Sequence, residues 1–471
     1  MVSKDNKYFQ LILNTSLFAL GNLGSKFIVF ILMPLYTNAL TTTEYGISEL
    51  VITGTNLLIP FVSVSIQDAT LRFVLDKNYK SGEVLNNTIL IIAIGSIVTC
   101  ILYPFIGLYK AIDGWTQYFL ILTIVYMVRN ALSIYLKAIG KTKLFAIDSI
   151  LYTLLLMISN IVLLTVVKLG LKGYFYAIII STVGSIIILC IFGNVFGSCK
   201  KERVNKKLLK EMVIYSLPMV FNNISWWIIN SSDKIMIEYF DSASASGIYS
   251  VASKIPSILT TLTNIFNQAW IISSVSEYDT TRDGKFYSRT FTVFNCMLVM
   301  VASGIVLIIK PFMQIYVGAN FVESWQYIPL LLLGSIFQSY AAFFGAIYTS
   351  AKKNVSIMST TLIAAVINIV LNAILIPTIG IQGAVIATAV AYFVVFVFRM
   401  IDSQKYMQFE VQVTRVLLSM VILTGQCALM ITIDGVLRYV ASIVCFAVLF
   451  LLNAKTIVLL FNMFKMKLRR R

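Results

Sequence analysis

Residues 174–196 read YFYAIIISTVGSIIILCIFGNVF, a stretch without one charged side chain. As a helix rising ~1.5 Å per residue it is long enough to cross the ~30 Å hydrocarbon core of a bilayer. Working outward, similar apolar runs recur along the whole chain, separated by short polar turns. Fourteen are counted, near 9–37, 45–70, 87–109, 115–138, 144–167, 174–196, 212–240, 245–274, 288–310, 325–350, 355–377, 382–401, 413–433 and 437–462. A strand of a membrane barrel alternates over only ~10 residues, so these runs predict helices. Composition agrees: 59% of the 471 residues are hydrophobic and 12% charged, against about 25% charged in a soluble chain. The expectation is an all-α polytopic membrane protein of about fourteen transmembrane helices.

The net charge of +17 invites a nucleic-acid reading, and its distribution removes it. With the N-terminus placed inside, 27 of the 37 lysines and arginines fall in inner segments and five in outer ones. That asymmetry is the positive-inside rule, and it predicts a multi-pass protein with both termini cytoplasmic. The chain has no histidine, which excludes histidine metal sites, histidine-dependent triads and imidazole relays. Its six cysteines show no CxxC spacing and read as small apolar fillers. Gly21-Asn22-Leu23-Gly24-Ser25-Lys26 has the wrong glycine spacing for a phosphate loop and no strand before it, so no ATPase module is read here. No cofactor and no metal are expected. The first run is too long for a cleaved signal peptide and has no small-residue cleavage pattern.

The chain also repeats itself at an offset of about 201–211 residues. Asn22 falls on Asn223, and Gly46-Ile47 on Gly247-Ile248. Asn160-Ile161-Val162-Leu163 recurs as Asn368-Ile369-Val370-Leu371, and Gly170-Leu171-Lys172-Gly173 as Gly380-Ile381-Gln382-Gly383. Polar and glycine landmarks in common order across six helices are not what chance similarity between apolar helices produces. Six helices is an even number, so the second copy enters the membrane with the orientation of the first, a parallel-repeat layout. The expected organisation is an N-lobe over 1–199, a basic cytoplasmic linker over 200–211, a C-lobe over 212–405, and an appended pair of helices with a basic tail over 406–471, the two lobes surrounding a central cavity. The linker carries Leu208, Leu209 and Met212 on one face. It reads either as an amphipathic segment lying on anionic headgroups or as a solvated loop.

Four basic residues, Lys26, Arg129, Lys234 and Lys254, lie well inside the apolar runs. An ionised side chain at that depth costs roughly 2.5–3.5 kcal/mol on insertion scales, so each must face a polar cavity or a partner. Together they suggest an intramembrane chamber of positive potential built for something anionic. Arg129, beside Asn130, reads equally as cavity lining or as a clamp between helices. Asp233, Lys234 and Glu238 read as a local network, because Lys234 and Glu238 are one helical turn apart. Arg72 and Asp68 share that spacing, and the plain reading is an i,i+4 pair.

The run Asn14–Leu50, with Gly21-Asn22, Pro34-Leu35-Tyr36-Thr37 and Glu44-Tyr45-Gly46, resembles the start of polysaccharide-export flippases. So do Asp68-Ala69 with Leu71-Arg72-Phe73, and Gly247-Ile248-Tyr249-Ser250 running into Lys254. These are the Wzx-type members of the multidrug/oligosaccharidyl-lipid/polysaccharide exporter superfamily. The resemblance covers the first twelve helices, and the appended pair matches longer members such as lipid II flippases. It implies that a polyprenyl-diphosphate-linked oligosaccharide is carried from the inner to the outer leaflet by alternating access, for surface polysaccharide synthesis. The implied partners are that lipid, the surrounding membrane lipids and other polysaccharide-assembly proteins, with no nucleic acid.

On that reading Lys26 and Lys254 face the cavity, since a lysine ammonium suits a diphosphate as a compact point charge. Lys254, followed by Pro256, resembles in position a basic residue early in the eighth helix of lipid II flippases. Arg129, Arg72 and Lys234 join the anionic-headgroup set, with Asp68, Asp233 and Glu238 as ion-pair or coupling candidates. Asn22, Ser25, Asn56, Asn223, Trp226, Asn264 and Gln268 are the sugar-contacting candidates, while Trp227 and Trp270 read equally as facing lipid. A membrane-embedded sugar polymerase or transferase needs clustered carboxylates on an extramembrane surface, whereas these outer loops carry isolated acids. No catalytic residue is therefore assigned. A cation-coupled drug exporter of the same superfamily is the alternative, and it would keep buried acids.

Overall fold

The computed structural model describes residue 28 and residues 30–469, apart from 77, 281, 282 and 352. Asn22, Ser25 and Lys26 lie outside the described residues, as do the side chains of Asn222, Trp226 and Asn230. The protein is an all-α, multi-pass membrane protein. Its first described long helix, α1 (Thr42–Val62), begins at a capping box: Thr41 accepts from the Glu44 amide, and the Glu44 carboxylate accepts from the Thr41 amide. There follow α2 (Ile66–Val74), α3 (Ser81–Ile106), α4 (Thr116–Ala138), α5 (Thr142–Ile161) and α6 (Gly170–Gly193). A short α7 (Val195–Lys201) leads into two long helices, α8 (Lys206–Phe240) and α9 (Ala243–Thr280). Then come α10 (Gly284–Tyr316), α11 (Ile328–Ser350), α12 (Asn354–Ile379), α13 (Ile381–Asp402), α14 (Val413–Thr432) and α15 (Gly435–Arg469).

Among the described residues eleven helices are long and apolar enough to cross a membrane. The helices α8 and α9 are not among those eleven although they run to 35 and 38 residues. Their apolar stretches are interrupted by Asn223, Asp233, Lys234, Lys254 and Asn267, polar groups that a spanning helix carries only where they have work to do.

The run over 45–70, expected as one helix, is broken. After Pro60 the chain passes through Ser63, and then Val64 and Ser65 both adopt left-handed backbone angles (φ 51° and 48°) before α2 starts. A β-branched residue in that region costs on the order of 1–2 kcal/mol, so the surroundings must hold it. They do so in two ways. Gly95 on α3 lets the Val62 carbonyl approach so closely that a Cβ there would collide with it. Asn223 on α8 donates to Ser65 Oγ at 3.2 Å and to Asp68 Oδ2 at 3.1 Å.

Two compact units are present, residues 1–247 and 248–471, so α8 packs with the first. The starts of α1 and α9 approach each other closely. A Cβ on Gly46 would strike the Ala243 carbonyl, and one on Gly247 the Thr42 carbonyl. Both relations obey one offset, which is what a local two-fold between duplicated helices produces, and only glycine allows backbones that close.

The linker departs from both of its sequence readings. Leu208 and Met212 are fully buried in a protein core with Ile66, Val84, Ile91 and Met127, rather than lying on headgroups or in water. The segment is tied to the start of α3: Asn86 donates to the Cys199 and Glu202 carbonyls, Asn87 donates to the Asn205 carbonyl, and Asn205 donates to Glu83. The Asn205 side chain then caps α8 by accepting from the Lys207 and Leu208 amides.

Candidate functional site

The polar residues of the first unit fall into three groups. One centres on Lys234 on α8, whose ammonium lies 2.5 Å from the carboxylate of Glu49 on α1. Glu49 is buried, and its other oxygen accepts from the Tyr45 hydroxyl at 3.0 Å, one turn back on the same helix. The expected local network differs accordingly: Lys234 meets Glu49 across helices, and Glu238 accepts from the Tyr109 hydroxyl. Burial and that hydrogen bond push the Tyr109 hydroxyl well above the usual phenol range. Asp233 beside Lys234 is buried.

The second group is the clasp at the helix break. Asp68 accepts from Asn223, so it is engaged with α8 rather than with Arg72. Arg72 instead lies 3.7 Å from Asp76, with more than half of its side chain exposed. A pair that open contributes little, about 0–1 kcal/mol. Higher on the same interface Trp227 donates its indole N–H to the Thr53 carbonyl, which assigns it to a helix contact.

The third group is built around Arg129 on α4. Its guanidinium is 3.1 Å from Asp148 on α5, donates to Ser185 on α6 at 2.8 Å, and lies over the Tyr152 ring at 3.9 Å. Ser185 in turn donates to Asp148. Every one of these contacts joins helices within the first unit, which is what a clamp does.

In the second unit Arg399 on α13 is buried. It donates to Thr360 and Thr361 and to the Ile357 and Ala341 carbonyls, tying α13 to α12 and α11. An arginine thus ties α4, α5 and α6 together in the first unit, and another ties α11, α12 and α13 in the second. Lys254 on α9 is half-buried, with its carbonyl accepting from Ser257. Asn56, Asn264 and Gln268 are exposed on their helices, Asn267 is buried, and Trp270 is buried with its indole N–H on the Phe343 carbonyl. Among the described residues no cluster of histidine, cysteine or carboxylate side chains is arranged to hold a metal.

Sequence reading passed over Glu49, Asp148, Tyr45 and Arg399. A signal existed for the first two, since each is an acid inside an apolar run. Their effect is to neutralise two of the four deep cations, so the positive chamber expected from sequence loses the charges of Arg129 and Lys234.

A clamped, duplicated helical unit whose α1–α8 region is rich in polar groups can be set beside known proteins. The family model described as "Polysaccharide biosynthesis protein" matches residues 11–274, more than half of the chain. The chain belongs to this family. A curated relative, the probable low-salt glycan biosynthesis flippase Agl15 of Haloferax volcanii, is 25% identical over 224 residues. That match spans 46% of this chain and 46% of the relative, so the chain covers about half of its length. Among solved structures, the lipid II flippase MurJ in an inward closed conformation aligns with TM-score 0.68 at 13% identity, covering 94% of this chain and 99% of that one. An inward-facing multidrug resistance MATE transporter of the MOP superfamily aligns with TM-score 0.64 at 15% identity, covering 82% and 94%. At these identities the structures share the fold. The protein is a multi-pass membrane protein of the polysaccharide biosynthesis family.

Proposed function

We propose that the chain translocates a polyprenyl-diphosphate-linked oligosaccharide from the inner to the outer leaflet of a bacterial-type plasma membrane, with both termini cytoplasmic, by alternating access of its two six-helix repeats. The observation that carries this reading is the family match across residues 11–274, a span that includes Lys26, Arg72, Lys234 and Lys254. In this reading the substrate is moved and not chemically altered. Lys254 and Lys26 meet the diphosphate, Lys234 joins them when its partner is displaced, and Arg72 at the exposed inner end of α2 meets the headgroup first with Asp68 beside it. Asn22, Ser25, Asn56, Asn223, Trp226, Asn264 and Gln268 contact the sugars, and Arg129 acts through the packing of its helices.

The alternative, a cation-coupled drug exporter, needs acids free to meet a cation. Glu49 and Asp148 are instead each engaged by a lysine or arginine, which favours the flippase. The test is flipping of a lipid-linked diphosphate oligosaccharide in proteoliposomes. It is expected to run without ATP and to quicken as the interior is made more negative, since each negative charge moved outward gains ~2.3 kcal/mol per 100 mV. Strict dependence on ATP, or indifference to both potential and ion gradients, would overturn this reading.

A further inference from the structure

The geometry points to Glu49 as an internal counter-ion that occupies Lys234 in the empty protein and is exchanged for a phosphate of the substrate. This inference rests on the reading of the substrate as a diphosphate lipid. Its starting point is the chemistry of the pair. The Lys234 ammonium and the Glu49 carboxylate sit 2.5 Å apart, with 15% and 7% of their side-chain surfaces exposed. A lysine that deep is too costly to leave without an anion. A phosphate oxygen and a carboxylate oxygen offer an ammonium the same acceptor, so either satisfies it.

The two partners are not held alike. Glu49 is fixed, because the Tyr45 hydroxyl donates to its second oxygen at 3.0 Å. Lys234 is anchored at its backbone, where its carbonyl accepts from Ser246 at 3.0 Å. Its four-carbon stem is flexible, so the ammonium can swing between two anions while the helix stays still. An anionic ligand that takes the ammonium leaves Glu49 with its tyrosine donor.

The exchange has two consequences for transport. Binding is weakened, because the ligand gains only the difference between its own attraction and that of Glu49. Release is eased for the same reason, and the empty protein returns with Lys234 neutralised. A bare cation at that depth on the return step would carry the cost of an unpaired buried charge. The pair also joins α1 to α8, so removing Glu49 from Lys234 loosens one of the contacts between those helices, leaving the Asn223 clasp and the Trp227 contact in place.

The full chain, purified in detergent, is titrated with inorganic pyrophosphate at fixed ionic strength. Glu49→Gln keeps the shape and removes the competing charge, so it is expected to bind pyrophosphate about tenfold more tightly than the wild type, a difference of about 1.4 kcal/mol. The double variant Glu49→Gln/Lys234→Gln is expected to bind no more tightly than the wild type. If Glu49→Gln does not fold, Glu49→Asp serves: its shorter carboxylate sits farther from the ammonium, and affinity rises by a smaller factor. Affinity that is unchanged or weaker in the folded single variants overturns the inference, as does tightening that persists in the double variant. The two readings separate cleanly. Wild-type flipping of the lipid-linked substrate with no effect of Glu49 on pyrophosphate removes the counter-ion alone. Tightening by Glu49→Gln in a protein that does not flip that lipid removes the substrate reading alone.

Discussion

Replacing Arg129 by Ala decides between the two roles its sequence position allows. Asp148 has no exposed side-chain surface and takes its donors from Arg129 at 3.1 Å and from Ser185. Removing the guanidinium leaves a buried carboxylate with a single hydroxyl donor. Breaking a buried pair from one side typically costs 3–5 kcal/mol, and the lost contact with the Tyr152 ring adds about 0.5–2 kcal/mol. Asp148→Ala is expected at the lower end of 3–5 kcal/mol, because Arg129 keeps 18% of its surface exposed and can reach toward polar surroundings. The double variant is expected to cost about 2–3 kcal/mol less than the sum of the two singles. An ordinary hydrogen bond between membrane helices averages only ~0.6 kcal/mol, so a coupling of that size identifies the ion pair. The assay is a double-mutant cycle on unfolding of the detergent-solubilised protein, with transport measured alongside. Strictly additive costs, or a stable Arg129→Ala protein that has lost transport, would refute the clamp and return Arg129 to the substrate site.

Arg399→Lys retains the charge but cannot reach acceptors on both α11 and α12 as the guanidinium does. It is expected to lower stability by about 1–3 kcal/mol per buried acceptor left unpaired, read as a fall in the unfolding midpoint. Gly247→Ala forces the starts of α1 and α9 apart at the Thr42 carbonyl, and Gly46→Ala does the same at Ala243. Each is expected to cost about 1–3 kcal/mol by overpacking, and both together less than the sum, because one separation relieves both clashes. In intact cells a single cysteine at Lys206 is expected to be shielded from impermeant thiol reagents and one at Asp241 to be labelled. The reverse pattern would overturn the inside placement of the linker.

The fold class and the duplication were legible in the linear sequence. Both rest on features that do not depend on neighbours: the length of apolar runs against bilayer thickness, the bias of lysine and arginine toward one side, and landmarks recurring at a common offset. Partner choice was not legible. The i,i+4 spacing pointed Lys234 to Glu238 and Arg72 to Asp68, yet Lys234 reaches 185 residues back to Glu49, and Asp68 takes its donor from Asn223, 155 residues on. Neighbours on one helix are only candidates, since in a low-dielectric interior the buried charge takes whichever counter-charge the packing of another helix brings to it. The break at Val64 and Ser65 was hidden for a similar reason. Neither residue favours a left-handed backbone, and the bend exists because Gly95 admits the Val62 carbonyl while Asn223 holds Ser65 and Asp68 on the far side of it. Even the linker's apolar face, plain in its spacing, found its place only through α2, α3 and α4, which supply the core that buries Leu208 and Met212. Periodicity says that a face must be covered, and the tertiary structure decides by what.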